Sequence, residues 1–226
     1  MTGVEILSAF ELEIGLIDNE IEKPVTSDSL YWINQSIMKF VKTRFNGDQV
    51  HQTGYEQTEK RRNDLDKLFK QVNLTEITHE EFPDYTRYTY NYPGDFLYAL
   101  NEDVEIKVGD KTKSTCVFEC TQDSFMYRIN NSLTDFHLYG GKARPIRTRT
   151  NNGAYLYTDG KYTIEKYTLG YIKMPTTITL SNPLTRYEEF DKSTWYEIIK
   201  IAAQSFLENK KDERYKTITQ EVMLQE

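Results

Sequence analysis

Apolar residues recur every three or four positions in the N-terminal part of the chain, which is the spacing of one helix face. The first predicted helix has Thr2 as its N-cap and an acidic opposite face. Its apolar stripe is Leu7, Phe10, Ile14 and Ile17. A second helix is predicted after Pro24, with Ser27 or Asp28 as its cap and an end at Asn46-Gly47. Its stripe is Leu30, Ile33, Ile37, Phe40 and Val41.

Two more helices are predicted on either side of the middle of the chain. The third starts at Tyr55 with the polar run EQTEKRRND, so its first half must contact water or a polar neighbour. Its stripe is Leu65, Leu68, Phe69 and Val72. The last helix follows Ser193 as N-cap. Its stripe is Trp195, Ile198, Ile199, Ala202 and Phe206. Residues 209–226 are polar and form either a frayed extension or an arm.

From about residue 74 the pattern becomes that of strands, rich in Tyr, Thr, Ile and Val and punctuated by Gly, Pro and Asp. Asp159-Gly160 lies between two such runs and predicts a β-hairpin, because Gly accepts a positive φ. Within this region GDFLYAL and DSFMYRINNSL are interpreted as short helical or turn insertions. Gly140-Gly141 is interpreted as a hinge or turn.

These patterns together predict an α+β protein. Helices from both ends of the chain form a helical bundle, and an antiparallel β-rich lobe is inserted between the third helix and the last. We place the N-terminal helices in residues 1–80, the lobe in 81–186, and the last helix with its polar arm in 187–226.

Composition narrows the functional classes. The 226 residues carry a formal charge of −7, which argues against a dedicated free nucleic-acid binder. The N-terminus has no basic leader before an apolar run, and no stretch of 18 apolar residues occurs, so we expect neither export nor a membrane span. Cys116 and Cys120 are too far apart along one strand for a disulfide and are expected to be reduced. The 17 tyrosines and 11 phenylalanines suit extended, partly wet contact surfaces.

No constellation of residues indicates catalysis. His51, His79 and His137 have no second metal ligand at helical or hairpin spacing, so no metal site is predicted. A strand cysteine flanked by Val and Phe indicates packing rather than a nucleophile. Neither GxxxxGK[ST] nor GxGxxG occurs, and no cofactor is expected. A site assembled from residues distant in sequence stays open as a hydrolase or transferase alternative.

One basic cluster stands out: Lys142, Arg144, Arg147 and Arg149. They alternate along a predicted strand that Pro145 would confine to a sheet edge, with Arg147 and Arg149 on one face. One interpretation is a basic rim that meets DNA phosphates or an acidic face of a neighbouring subunit. The other is charge that protects an exposed edge from unwanted pairing.

Four segments in this order resemble the head-to-tail connector and ring proteins of tailed phages, especially the crAss-like short-tailed phages. They are GYEQTEKRRNDLDKLFKQ, YNYPGDFLYAL, GKARPIRTRT with the following KYTIEKYTLGYIKMPTTITL, and STWYEIIKIAAQSFLE. The resemblance spans most of the chain.

The resemblance implies a non-enzymatic structural subunit of a ring of twelve copies, stacked between the portal protein and other tail or neck rings. DNA would pass through the centre without sequence readout. Lys142, Arg144, Arg147 and Arg149 would then contact a partner or line the lumen. The protein would belong to the virion neck or tail after assembly in the host cytoplasm. The alternative is a DNA-binding accessory protein that uses the basic strand, with Tyr155, Tyr157 and Tyr162 stacking on bases.

Overall fold

The computed structural model describes residues 1–17, 24–46, 59–182 and 184–210. The protein is α+β, and its chain divides into two compact units. One comprises Met1–Leu68 with Pro175–Glu226, and the other comprises Phe69–Met174. The chain therefore leaves the first unit once and returns to it once.

Among the described residues, all the strands lie in the second unit, and all but one of the α-helices lie in the first. The α-helices are α1 (Gly3–Ile17), α2 (Thr26–Asn46), α3 (Glu59–Leu65), α4 (Gln122–Asn130) and α5 (Lys192–Lys210). The strands are β1 (Phe69–Leu74), β2 (Glu76–Glu81), β3 (Thr86–Asn91), β4 (Phe96–Val108), β5 (Lys111–Cys116), β6 (Phe118–Glu119), β7 (Ile146–Arg149), β8 (Gly153–Thr158) and β9 (Thr163–Lys173). Of the α-helices, only α4 belongs to the second unit. We call the second unit the β unit and the first the helical unit.

In the helical unit, α1 and α2 both pack on α5. Phe10 of α1 meets Phe206 of α5 edge to face, with 6.3 Å between ring centroids. The predicted stripe of α5 is buried along its whole length. In α2, Ile33 and Ile37 are buried as predicted, whereas Leu30 is only partly covered. The apolar spacing therefore identifies the packed faces of these helices.

The start of α1 is capped as the sequence predicts. The Glu5 amide donates to Thr2 Oγ1 at 3.2 Å, and the Thr2 amide donates to Glu5 Oε2 at 2.9 Å. This reciprocal pair is a capping box. The other two cap predictions are wrong by two or three residues. Helix α2 begins at Thr26 and α5 at Lys192, so the predicted caps Ser27, Asp28 and Ser193 lie in the first turns.

Arg44 joins three helices inside the helical unit. Its side chain is 3% exposed, with Nε 3.0 Å from Asp64 of α3 and Nη2 2.6 Å from Glu197 of α5. Burial raises the pKa of Asp64, and the Arg44 charge opposes that shift. Lys60 adds a contact of 3.2 Å to Glu197. The polar character of α3 thus serves an ion-pair network with α2 and α5.

The third helix ends earlier than predicted, and its predicted start at Tyr55 lies outside the described residues. It ends at Leu65, a 3₁₀ turn covers Asp66–Leu68, and Phe69 starts β1. Phe69 and Val72 therefore lie on a strand, and assigning them to a helical stripe is wrong. Instead, all six residues of β1 pair with β9, from Phe69↔Ile172 to Leu74↔Tyr167, a long-range partner that the local spacing does not reveal.

The β unit contains two sheets that face each other across a shared core. Strand order is β1-β9-β4-β5 in one sheet and β2-β3-β8-β7-β6 in the other. All pairings are antiparallel except β6 with β7, which is parallel, so the prediction of antiparallel structure holds for the rest. Tyr88 and Leu156 from one sheet and Ile106 and Tyr167 from the other belong to the core between them.

The predicted hairpin at Asp159-Gly160 is wrong, although the turn is real. Gly160 has a φ of +73°, but β8 and β9 belong to different sheets. Asp159 accepts hydrogen bonds from the amides of Leu138 and Lys161, at 2.8 and 3.0 Å. Tyr162 is 2% exposed in the core. These contacts make the segment a corner that carries the chain from one sheet to the other.

Two further predictions in this region have opposite outcomes. DSFMYRINNSL contains α4, as predicted. GDFLYAL is not an insertion, because Phe96 begins the long strand β4. Strand β4 pairs with the neighbouring strand β9. Phe96 stacks on Tyr92, with 4.2 Å between the ring centroids.

Candidate functional site

The basic segment 142–149 starts at a tight turn. Tyr139 and Lys142 exchange backbone hydrogen bonds of 3.0 Å each across Gly140-Gly141. Both glycines have positive φ, 57° and 71°, as a two-residue turn of type I′ requires. The prediction of a turn here is confirmed. It presents exposed Tyr139 and Lys142 side chains, and Lys113 Nζ donates to the Gly141 carbonyl at 2.9 Å.

The Arg144 side chain makes its contacts within the β unit. Its guanidinium donates to the Val117 carbonyl at 3.2 Å, lies 3.8 Å from Asp135, and stands 5.3 Å from the centre of the Phe118 ring. The side chain is about one-third exposed, at 36%. The positive charge of Arg144 is therefore partly compensated within the β unit and partly exposed to solvent.

Arg147 is the most buried member of the cluster, with 4% of its side chain exposed. Nε lies 2.8 Å from Glu102 and Nη2 lies 3.1 Å from Glu119. Glu102 is on β4 and Arg147 on β7, so this ion pair joins the two sheets across the core. Arg149 is 51% exposed and also reaches Glu119, at 3.5 Å, so the two arginines share a strand face as predicted.

The predicted edge position of this strand is wrong. β7 lies between β8 and β6, and β6 is the edge. Pro145 precedes the first residue of β7, so its missing N–H removes nothing from the ladder. Its carbonyl accepts the Phe118 amide at 2.9 Å and so helps to hold β6 in place.

Sequence reasoning missed Glu102, the buried partner of Arg147. Burial raises the pKa of Glu102, and the positive charge of Arg147 opposes the shift. Tyr92 and Tyr167 lie around the same pair, and burial raises the pKa of each phenol. No local sequence signal identifies Glu102, because β7 reads IRTR and the burial of that strand is apparent only in the structure.

Two of the three tyrosines proposed to stack on bases are buried and not available to them. Tyr157 and Tyr162 are 4% and 2% exposed, and only Tyr155 is partly open. The Tyr162 hydroxyl donates to the Phe136 carbonyl at 3.1 Å. Tyr157 packs in a cluster with Phe125 and Phe136, whereas Tyr162 packs in the core between the two sheets.

The sequence model of one protein family, phage tail ring protein 3/4 of crAss-like phages, matches residues 17–194. This span includes all of the β unit and the basic segment. The chain belongs to this family of phage tail ring proteins. The resemblance inferred from the four sequence segments is thereby confirmed. No curated protein matches the sequence.

As a tail ring protein, the chain has a structural role in the phage tail and associates with copies of itself in a ring. Membership in this family places it in the virion tail. A ring requires each subunit to present two different surfaces, one to each neighbour.

The remaining candidate residues of this ring protein are its histidines and cysteines. In the part of the chain that the structure describes, no group of three or more His, Cys, Asp or Glu is placed to hold a metal ion. His79 lies 2.9 Å from Glu76 on the surface, and His137 contacts the Ile129 carbonyl at 2.9 Å; His51 lies outside the described residues. Cys116 is exposed, Cys120 is buried, and both thiols are free. Within the same residues, no helix combines the length and apolar character needed to span a bilayer.

Proposed function

We propose that this chain is a structural subunit of the head-to-tail connector, or neck, ring that joins the portal to the tail and lines the DNA exit channel. The observation that carries the proposal is the family match over residues 17–194. We propose a ring of twelve copies, built in the host cytoplasm and stacked on the portal and other tail rings.

The two units have separate tasks in this proposal. The helical unit forms the bundle, and the β unit is the inserted lobe that contacts neighbouring subunits. Residues 209–226 act as an arm toward a neighbour or the portal; residues 211–226 lie outside the described residues.

The four basic residues divide by exposure. Lys142 and Arg149 are exposed and are the best candidates to meet DNA or a neighbour, and Arg144 is partly available. Arg147 supports them from inside, because its charge is compensated by Glu102 and Glu119. Such contacts reach phosphates rather than base edges, which suits DNA that passes through without sequence readout.

Cryo-electron microscopy of intact particles tests the assignment to the neck. We expect a ring of this chain between portal and distal tail, with DNA in its lumen. A ring located elsewhere in the tail would refute the connector assignment.

A charge reversal tests the basic residues within that ring. Arg149→Glu is compared with Lys42→Glu, which reverses the charge of an exposed lysine on α2. We expect both variants to form rings, and only the first to weaken DNA retention by assembled rings, most clearly at low salt. Steeply salt-dependent DNA binding by a monomer would instead favour the accessory-protein alternative.

A further inference from the structure

The β unit has unpaired strand edges on two opposite sides. β1 and β2 are edges of different sheets, and only Thr75 separates them in the chain, so they share one side. β5 and β6 are the other two edges, and only Val117 separates them. Because the sheets face each other, β2 and β5 lie on opposite sides of the unit.

β2 and β5 are open and opposite in charge. Among the described residues, β2 pairs only with β3, and β5 only with β4. Every residue of β2 is exposed, as are five of the six in β5. β2 reads EITHEE, with three glutamates and no Lys or Arg. β5 reads KTKSTC, with two lysines and no Asp or Glu.

We infer that β5 of one copy pairs with β2 of the next copy around the ring. This rests on the proposed function as a ring subunit. An edge strand carries a row of unused backbone donors and acceptors that another chain can satisfy. Because the two edges differ and lie on opposite sides, their contact is head to tail and can propagate until the ring closes.

The charges on β2 and β5 favour pairing of these two strands with each other over pairing of either strand with its own copy. Pairing β2 with β2, or β5 with β5, would set like charges opposite one another, which destabilises a strand pair. Pairing β5 with β2 sets lysine opposite glutamate. The same charges that prevent back-to-back dimers therefore specify the head-to-tail neighbour.

A third lysine strengthens the basic side. Lys113 donates to the Gly141 carbonyl, which places the turn that carries Lys142 beside β5. On the acidic side, Glu80 pairs with Arg87 at 2.6 Å and Glu76 with His79 at 2.9 Å, so part of the negative charge is already compensated. Glu81, at the end of β2, completes the acidic set. Lys142 in this arrangement contacts the neighbouring subunit.

Cross-linking tests the juxtaposition directly. Cys116 is exposed at the end of β5, and Thr78→Cys adds a thiol in the middle of β2. A short bismaleimide applied to assembled rings of the full chain should give a ladder of dimers, trimers and higher multimers up to the closed ring. Thr78→Cys in a Cys116→Ser background should give none. Dimers in that background would show β2 against β2 and overturn the inference.

Charge reversal tests whether the charges on β2 and β5 determine which strands pair between copies. Lys111→Glu/Lys113→Glu makes both edges acidic, and Glu76→Lys/Glu81→Lys makes both basic. Each alone should lose self-association by about tenfold or more in sedimentation velocity. An equimolar mixture should recover it, which a misfolded variant could not do. The control Lys39→Glu/Lys42→Glu should assemble normally.

The outcomes separate this inference from the proposed function. If both edge variants alone form rings like those of the wild type, the edge pairing is overturned and the ring function stands. If the wild-type chain forms no ring and is absent from the particle neck, the proposed function fails as well.

Discussion

Replacing Arg147 by Met should destabilise the β unit strongly. Met keeps an unbranched side chain of similar reach but removes the charge that lies 2.8 Å from Glu102. Only 9% of the Glu102 side chain is exposed, so water cannot replace the lost partner. The variant therefore leaves a carboxylate buried between the two sheets with its main counter-charge gone.

The magnitude follows from the geometry. At 2.8 Å the attraction between unit charges is about 6 kcal/mol for an effective dielectric constant of about 20. The cost of desolvating both groups offsets much of this, and breaking a buried pair by removing one partner typically costs about 3–5 kcal/mol. We therefore expect the free energy of unfolding to fall by about 3–5 kcal/mol. Since urea m-values are about 1–3 kcal/mol/M, a 3 kcal/mol loss lowers the midpoint by roughly 1–3 M.

The assay must report on the β unit. Both tryptophans, Trp32 and Trp195, belong to the helical unit, so near-ultraviolet circular dichroism of the tyrosines is the better signal for urea unfolding. Arg149→Met is the matched control, because that side chain is 51% exposed; its cost should stay below about 1 kcal/mol. Adding Glu102→Gln to Arg147→Met should recover part of the loss. Equal effects of the two Arg→Met changes, or no recovery, would refute the claim of a buried inter-sheet ion pair.

Two further predictions concern the same unit. Gly153→Ala should cost several kcal/mol, because an added Cβ would collide with the Tyr90 carbonyl, whereas Gly94→Ala meets nothing within 4 Å and should be nearly neutral; thermal unfolding compares them. Lys70, 2.6 Å away, lowers the pKa of Asp95, so Asp95→Asn should cost about 0.5–1 kcal/mol at neutral pH. That difference should be complete above the ordinary pKa of 3.8 and vanish as pH falls through the lower folded-state value, as urea titrations across acid pH would show; a constant difference would contradict it.

Local sequence predicts the helices well where one face is apolar and the burial is one-sided. The stripe of α5 is buried as expected, and the Thr2 cap is present with its Glu5 partner. The failures occur where pairing between distant segments decides the structure. Phe69 fits a helical stripe, yet its partner Ile172 lies more than a hundred residues away in sequence and makes it a strand residue. No local pattern contains that information.

The same contrast between local sequence patterns and long-range contacts holds for the basic segment. The segment 142–149 was recognisable from its charge, and its turn from Gly140-Gly141. The burial of Arg147 was not, because it depends on Glu102 from a strand of the opposite sheet. The corner at Asp159-Gly160 likewise has the local chemistry of a hairpin, but β8 and β9 pair with distant strands in two different sheets.

The pairing of Phe69 with Ile172 has an architectural consequence. The first and last strands of the β unit are neighbours, so the chain leaves and rejoins the helical unit at points about one strand spacing apart, roughly 5 Å. The helical unit is thus interrupted by a gap that a short loop could bridge. Insertions or deletions within the β unit that keep the pairing of β1 with β9 therefore leave the separation of its two chain ends unchanged.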